Sequence, residues 1–113
     1  GLLGRADFVG LIKSKIEVNP ATVFFKSEER IRNQTKDVIL TSYLENQTFQ
    51  NIIYTSIPSG FHFRDKIEGR KAILYITPHP SLPLVDPQTK SLLKIQCQLQ
   101  QETINLDIPI YCQ

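Results

Sequence analysis

Two histidines and two cysteines are the side chains with which this 113-residue chain could do nucleophilic or metal chemistry. His62 stands between Phe61 and Phe63, and His79 between Pro78 and Pro80. A catalytic nucleophile needs a neighbouring base that a third group orients. Neither histidine lies in such a motif: the chain has no G-x-S-x-G, no H-E-x-x-H, no phosphate-binding glycine loop and no dinucleotide fingerprint. Both are therefore expected as surface or strand residues. Cys97 and Cys112 lack the close paired spacing of a zinc knuckle, and two histidines are too few to complete such a site. The chain reads as non-catalytic, with no cofactor, no metal and no catalytic residue assigned.

Carboxylates lead to the same place. Glu28 with Glu29, and Asp65 with Glu68, sit in runs that also carry Lys and Arg, which is the ordinary pattern of a solvated surface rather than of a glycosidase cleft. No D-x-D-x-D-G calcium loop is present. Four tyrosines, Tyr43, Tyr54, Tyr75 and Tyr111, are candidate stacking groups for a sugar or small ligand. For that role Tyr43 and Tyr75 must lie exposed and close together. Asn33-Gln34-Thr35 and Asn46-Gln47-Thr48 match the N-glycosylation acceptor pattern, which matters where the chain is exported by a eukaryote.

The elements that must carry these residues are strands. Residues 91–112 alternate at period two in two arms joined by a polar turn. Leu93, Ile95, Cys97 and Leu99 share one face of the first arm; Ile104, Leu106, Ile108, Ile110 and Cys112 share one face of the second. Both cysteines then point into a core as small hydrophobes. A turn at Gln101 and Glu102 sets Cys97 opposite about Leu106, and Cys112 opposite about Ser91. At ~3.3 Å per residue, that offset exceeds what a disulfide spans, so two reduced thiols are expected.

Upstream, residues 15–19 (KIEVN) alternate, Pro20 interrupts, and residues 21–25 (ATVFF) resume an extended course. A proline there suits an edge strand, and the break allows the strand to begin in one sheet and finish in the other. Residues 26–34 (KSEERIRNQ) lack an apolar stripe and read as a polar turn rather than a helix. Residues 35–44, 49–57, 61–64 and 70–77 read as further strands, with a charged turn at 65–69. Residues 78–90 hold four of the seven prolines and form a loop. About seven strands with no helix is the signature of a single all-β sandwich. Residues 1–14 are a lead-in or linker, and the sandwich occupies 15–113.

Composition narrows the partners. Lys and Arg are dispersed and the formal net charge is +2, so there is no clustered basic face for nucleic acid. No apolar run approaches the ~20 residues of a transmembrane helix.

The order of motifs, I-x-V-x-P-A-x-V-x-F over 16–25, T-K-D-V-I-L over 35–40, F-Q-N-I-I-Y-T-S-I-P-S-G-F over 49–61, R-K-A-I-L-Y-I-T-P over 70–78 and I-N-L-D-I-P-I-Y over 104–111, resembles exported bacterial immunoglobulin-like modules of unknown function. More loosely it resembles the Hydin-type and major-sperm-protein-like sandwiches. The resemblance implies an immunoglobulin-like β-sandwich serving as an interaction or spacer module of a larger exported protein, periplasmic or at the cell surface. Its contacts, with a protein partner or with neighbouring domains, would be made through strand edges or loops. The alternative function is a carbohydrate- or small-ligand-binding module using Tyr43 and Tyr75.

Overall fold

A computed structural model describes residues 15–79 and 90–112. The lead-in at 1–14 and most of the proline-rich loop lie outside the described residues. Among the described residues, eight strands and one short helix follow in order: β1 (Ile16–Asn19), β2 (Val23–Phe25), α1 (Ser27–Ile31), β3 (Lys36–Ser42), β4 (Phe49–Ser56), β5 (Phe61–Glu68), β6 (Lys71–Pro78), β7 (Lys90–Leu99) and β8 (Thr103–Cys112). They form two four-stranded sheets, β1-β3-β6-β5 and β2-β8-β7-β4.

Pro20 does what its position suggests. β1 runs antiparallel to β3 in the first sheet, the chain crosses over at Pro20, and β2 runs parallel to β8 in the second. The two halves of the first strand thus edge different sheets, which raises the strand count from seven to eight.

Side-chain alternation builds the core. Val38, Leu40, Leu74 and Ile76 from one sheet meet Leu93, Ile95, Cys97, Ile108 and Ile110 from the other, all buried. Burial of each such aliphatic side chain contributes about 1.5–3 kcal/mol of transfer free energy, so the period-two pattern outweighs the weak local propensities of these strands. β4 keeps its inward residues only by breaking the alternation. A register shift between Phe49 and Asn51 places Phe49 and Ile52 on the same buried side, and a second shift follows between Tyr54 and Ser56.

Phe25 is fully buried and links the layers. Its ring lies 5.9 Å from that of Phe61, and the Lys36 ammonium sits 5.7 Å over its face. That ammonium also pairs with Glu29 at 3.0 Å.

Three local expectations are corrected. Residues 27–31 form α1 rather than a plain turn, because the Glu29 carboxylate accepts the Lys26 backbone N–H at 2.8 Å and so caps the first turn. That bond, with Lys36 beside it, holds the Glu29 carboxyl below the usual carboxylate range. The strand expected at 61–64 runs on to Glu68, and the turn is reduced to Gly69 and Arg70, with Glu68 paired to Lys71. Gly69 takes φ +64° there, which a glycine adopts without steric cost.

The third concerns the β7–β8 hairpin. It turns at Gln100 and Gln101, closed by the Leu99 N–H donating to the Glu102 carbonyl at 2.8 Å. Cys97 therefore faces Ile104 rather than Leu106. Moving the turn by one residue moves the pairing by two, so every side chain keeps its expected face.

A candidate strand-accepting edge

Two four-stranded sheets have four outer edges, and three of them are blunted. β5 presents Arg64, Lys66 and Glu68, with Lys66 and Glu68 paired at 3.0 Å. Charged edge strands resist pairing with another chain. β4 is twice bulged and is tied to β5 by the Tyr54 hydroxyl donating to Asp65 at 2.7 Å. β1 has four residues and ends at Pro20.

The fourth edge is different. β2 covers β8 only at Ile110, Tyr111 and Cys112. Over residues 103–109, β8 is paired with β7 on one side, and on the other no strand among the described residues is paired with it.

The closing bond at Leu99 and Glu102 sets which groups that edge offers. In an antiparallel ladder, residues alternate between those that bond the partner strand and those that point away. Counting from Glu102, the residues Ile104, Leu106, Ile108 and Ile110 direct their N–H and C=O toward β7. Thr103, Asn105 and Asp107 direct theirs outward. Pro109 falls in the outward set, where its missing N–H costs the β7 ladder nothing, and this explains a proline inside a regular ten-residue strand.

The edge is firmly held. The Gln101 N–H donates to Gln47 Oε1 at 3.0 Å, and the Thr48 N–H to Gln100 Oε1 at 2.6 Å, so the β3–β4 and β7–β8 turns clasp each other. Lys15, leading into β1, forms an ion pair with Glu102 at the start of β8. Between that pair and β2, the half-buried Ile104, Leu106 and Val18 border the core from the two sheets. The stretch from Thr103 to Pro109 measures ~20 Å at strand rise, the length of one ordinary strand.

The other candidates fall elsewhere. Tyr43 is 59% exposed and donates its hydroxyl to Glu17 at 2.6 Å. That bond raises its phenol above the ordinary range. Tyr75 lies half-buried under Arg64, whose guanidinium is 5.0 Å from its ring. Tyr75 is opposite Asp37 in the β3–β6 pair, which puts the two tyrosines on the same sheet but about 20 Å apart along β3. They do not form one stacking platform. Asn33 and Asn46 both occupy turns with positive φ, 55° and 59°. Cys97 is buried and Cys112 half-buried, both as free thiols. Burial pushes the Cys97 thiol up to about 12. Cys112 is raised by the same cause, against a smaller opposing effect of the nearby Arg30. High thiol pKa values of this kind belong to packing residues, not nucleophiles.

The residues that sequence reading passed over are Thr103, Asn105 and Asp107. A signal for them existed in Pro109, since a strand proline marks the side of a strand that lacks a partner.

No family model matches the chain, and no curated protein matches it. Among solved structures, the YadV chaperone is similar with a TM-score of 0.54 at 12% identity, over 87% of this chain and 51% of that one. The periplasmic chaperone SfaE is similar with a TM-score of 0.50 at 10% identity, over 87% of this chain and 58% of that one. The chain thus spans about half the length of these neighbours (51% and 58%). At such identities the likeness shows the fold, an immunoglobulin-like β-sandwich. It does not reach the Hydin-type or major-sperm-protein-like families.

Proposed function

We propose that this domain is a non-enzymatic interaction module of a larger exported protein, and that it receives an extended segment of a protein partner as an added strand along residues 103–109 of β8. The observation that carries the reading is the outward row of Thr103, Asn105 and Asp107, a regular stretch of β8 with which no strand among the described residues is paired on that side. Main-chain bonds to these residues would supply affinity, and alternate apolar side chains of the guest would rest on Ile104 and Leu106. The guest is accordingly a short strand, apolar at every second residue, bounded by the Lys15–Glu102 pair at one end and β2 at the other. The chaperone neighbours, one of them periplasmic by description, support a protein partner and a place outside the cytoplasm. The separation of Tyr43 from Tyr75 weighs against the sugar-binding alternative.

The test is a titration of the isotope-labelled domain with a short synthetic peptide that alternates Val or Ile with Thr or Lys. Amide signals of Thr103, Asn105 and Asp107 are expected to shift and to gain protection from exchange. Asn105→Pro removes an outward N–H while leaving the β7 ladder intact, so it should weaken binding about tenfold, or ~1.4 kcal/mol, and still fold. Shifts that map to β1 or β5, or an Asn105→Pro variant that binds like the parent, would overturn the reading.

A further inference from the structure

His62 and His79 are far apart in the sequence, yet the β5–β6 hairpin brings their rings to a centroid separation of 4.3 Å with 38° between the planes. The register explains why. Phe61 is paired with Pro78 and His62 with Thr77, so His79, one residue beyond β6, has the parity of Thr77 and shares the outward face with His62. The backbone is fixed on both sides of the pair. The His79 N–H donates to the Gly60 carbonyl at 2.7 Å, which extends the ladder past the end of both strands. His62 is exposed and His79 half-buried.

Among the described residues, the neighbouring polar groups on this face are engaged elsewhere. The next position across from His62 carries the Thr77 hydroxyl, which is engaged with the Thr35 hydroxyl at 2.7 Å. Arg64, two residues along β5, is held over Tyr75 at 5.0 Å. Each neutral imidazole carries one nitrogen lone pair, and imidazole is a ligand of Cu²⁺, Ni²⁺ and Zn²⁺ rather than of Ca²⁺ or Mg²⁺, which require oxygen donors. Two such rings anchored on adjacent strands lose little further freedom when one ion engages both, which is the advantage of a chelate over a single histidine.

We propose that His62 and His79 form a two-imidazole site for a divalent transition-metal ion, with water in the remaining positions. Among the described residues no group of three or more His, Cys, Asp or Glu is gathered, so the site is open and exchangeable, unlike the closed four-ligand sites that hold structural zinc. Binding requires the rings to turn from their stacked arrangement until one nitrogen of each faces the ion. The exposure of His62 gives that ring room to do so. This site is on the outward face of the β1-β3-β6-β5 sheet, whereas the β8 edge belongs to the other sheet, and the two proposals stand or fall separately.

The test uses the full chain without an affinity tag, titrated calorimetrically with Ni²⁺ and separately with Cu²⁺, and followed by imidazole NMR signals on addition of Zn²⁺. One ion per chain is expected, with Cu²⁺ bound more tightly than Ni²⁺, and the ring signals of both histidines should move together. His62→Gln and His79→Gln should each weaken binding by about tenfold or more, to the same residual level, because either change leaves a single imidazole. Mg²⁺ should leave both rings unmoved. Single variants that bind like the parent, two independent ions per chain, or Zn²⁺ shifts at one ring alone would each overturn the site. The NMR measurement needs no variant, so a substitution that disturbs folding does not blunt it.

Discussion

Tyr54 on β4 donates its phenolic proton to the Asp65 carboxylate on β5 at 2.7 Å, a bond that crosses from one sheet to the other. Around it runs a chain of rings: Tyr54 to Phe63 at 6.1 Å, Phe63 to Phe61 at 6.2 Å and Phe61 to Phe25 at 5.9 Å. Tilted ring pairs at these separations are favourable beyond their burial. They help close the β4–β5 side of the sandwich, whereas on the other side no strand among the described residues pairs with the outward side of β8 over residues 103–109.

Removing that cross-sheet bond tests the β4–β5 side. Tyr54→Phe keeps the ring and leaves Asp65, which is exposed, to water, so the expected loss is about 1 kcal/mol at neutral pH. Burial first, and the Asp65 hydrogen bond second, raise the Tyr54 phenol above its ordinary value of 10.0. The unfolded chain then ionises before the folded one, so the contribution is intact below about pH 10 and is lost as pH rises beyond it. Urea titrations from neutral to strongly alkaline pH should show a shallower decline for Tyr54→Phe than for the parent.

Cys97 gives a second alkaline signature that begins lower. Its thiol is held up to about 12 by burial, against an ordinary value of 9.0. Stability linked to this group is present below about pH 9 and falls between about 9 and 12, with a limiting slope of about 1.4 kcal/mol per pH unit. Cys97→Val, near-isosteric and non-titrating, should change neutral-pH stability by less than about 1.5 kcal/mol and remove that part of the slope. In thiol-labelling kinetics, the half-buried Cys112 should react with the folded protein and Cys97 only on unfolding.

Adjacent residues on β2 should differ sharply. Phe25 is fully buried and Phe24 is 42% exposed. Phe25→Ala opens a cavity between the sheets and should cost about 3–5 kcal/mol. Phe24→Ala should stay within about 0.5 kcal/mol, as surface substitutions do. Equal losses in denaturant midpoints would show that β2 does not hold its alternation.

The tight turn between β5 and β6 depends on backbone freedom rather than space. No atom lies within 4 Å of a Cβ built at Gly69, but φ is +64°. Gly69→Ala should therefore cost about 1 kcal/mol through conformation alone, and Gly69→Asn less, since asparagine tolerates this region better. Thermal melts of the two variants beside the parent separate strain from steric clash.

What the sequence made legible was parity. The alternation from Leu93 to Leu99 and from Ile104 to Ile110 told which residues face the core, because burying aliphatic side chains dominates every local preference in these strands. Pro20 similarly told where the first strand changes sheets. Register was not legible, since Gln100, Gln101 and Glu102 are all acceptable turn residues and nothing local selects among them. α1 escaped notice because it is stabilised by Glu29 reaching Lys26 and Lys36 rather than by an apolar stripe. The extension of β5 through Asp65, Lys66 and Glu68 was hidden because charged residues serve an edge strand as readily as a turn. The approach of His62 to His79 depends on pairing register and could not be read from either residue's neighbours in sequence.

The parallel run of β2 beside β8 also has a mechanical meaning. One of these strands lies near the beginning of the sandwich and the other at its end, and Val23, Phe24 and Phe25 point the same way as Ile110, Tyr111 and Cys112. Tension drawn through the two ends of the domain pulls such strands in opposite directions along their length. Their hydrogen bonds are then loaded together, in shear, instead of opening one after another like a zipper. A module strung between neighbours in a longer chain would meet stretching with its small parallel clasp, and the clasp sits just past the edge where a guest strand would lie.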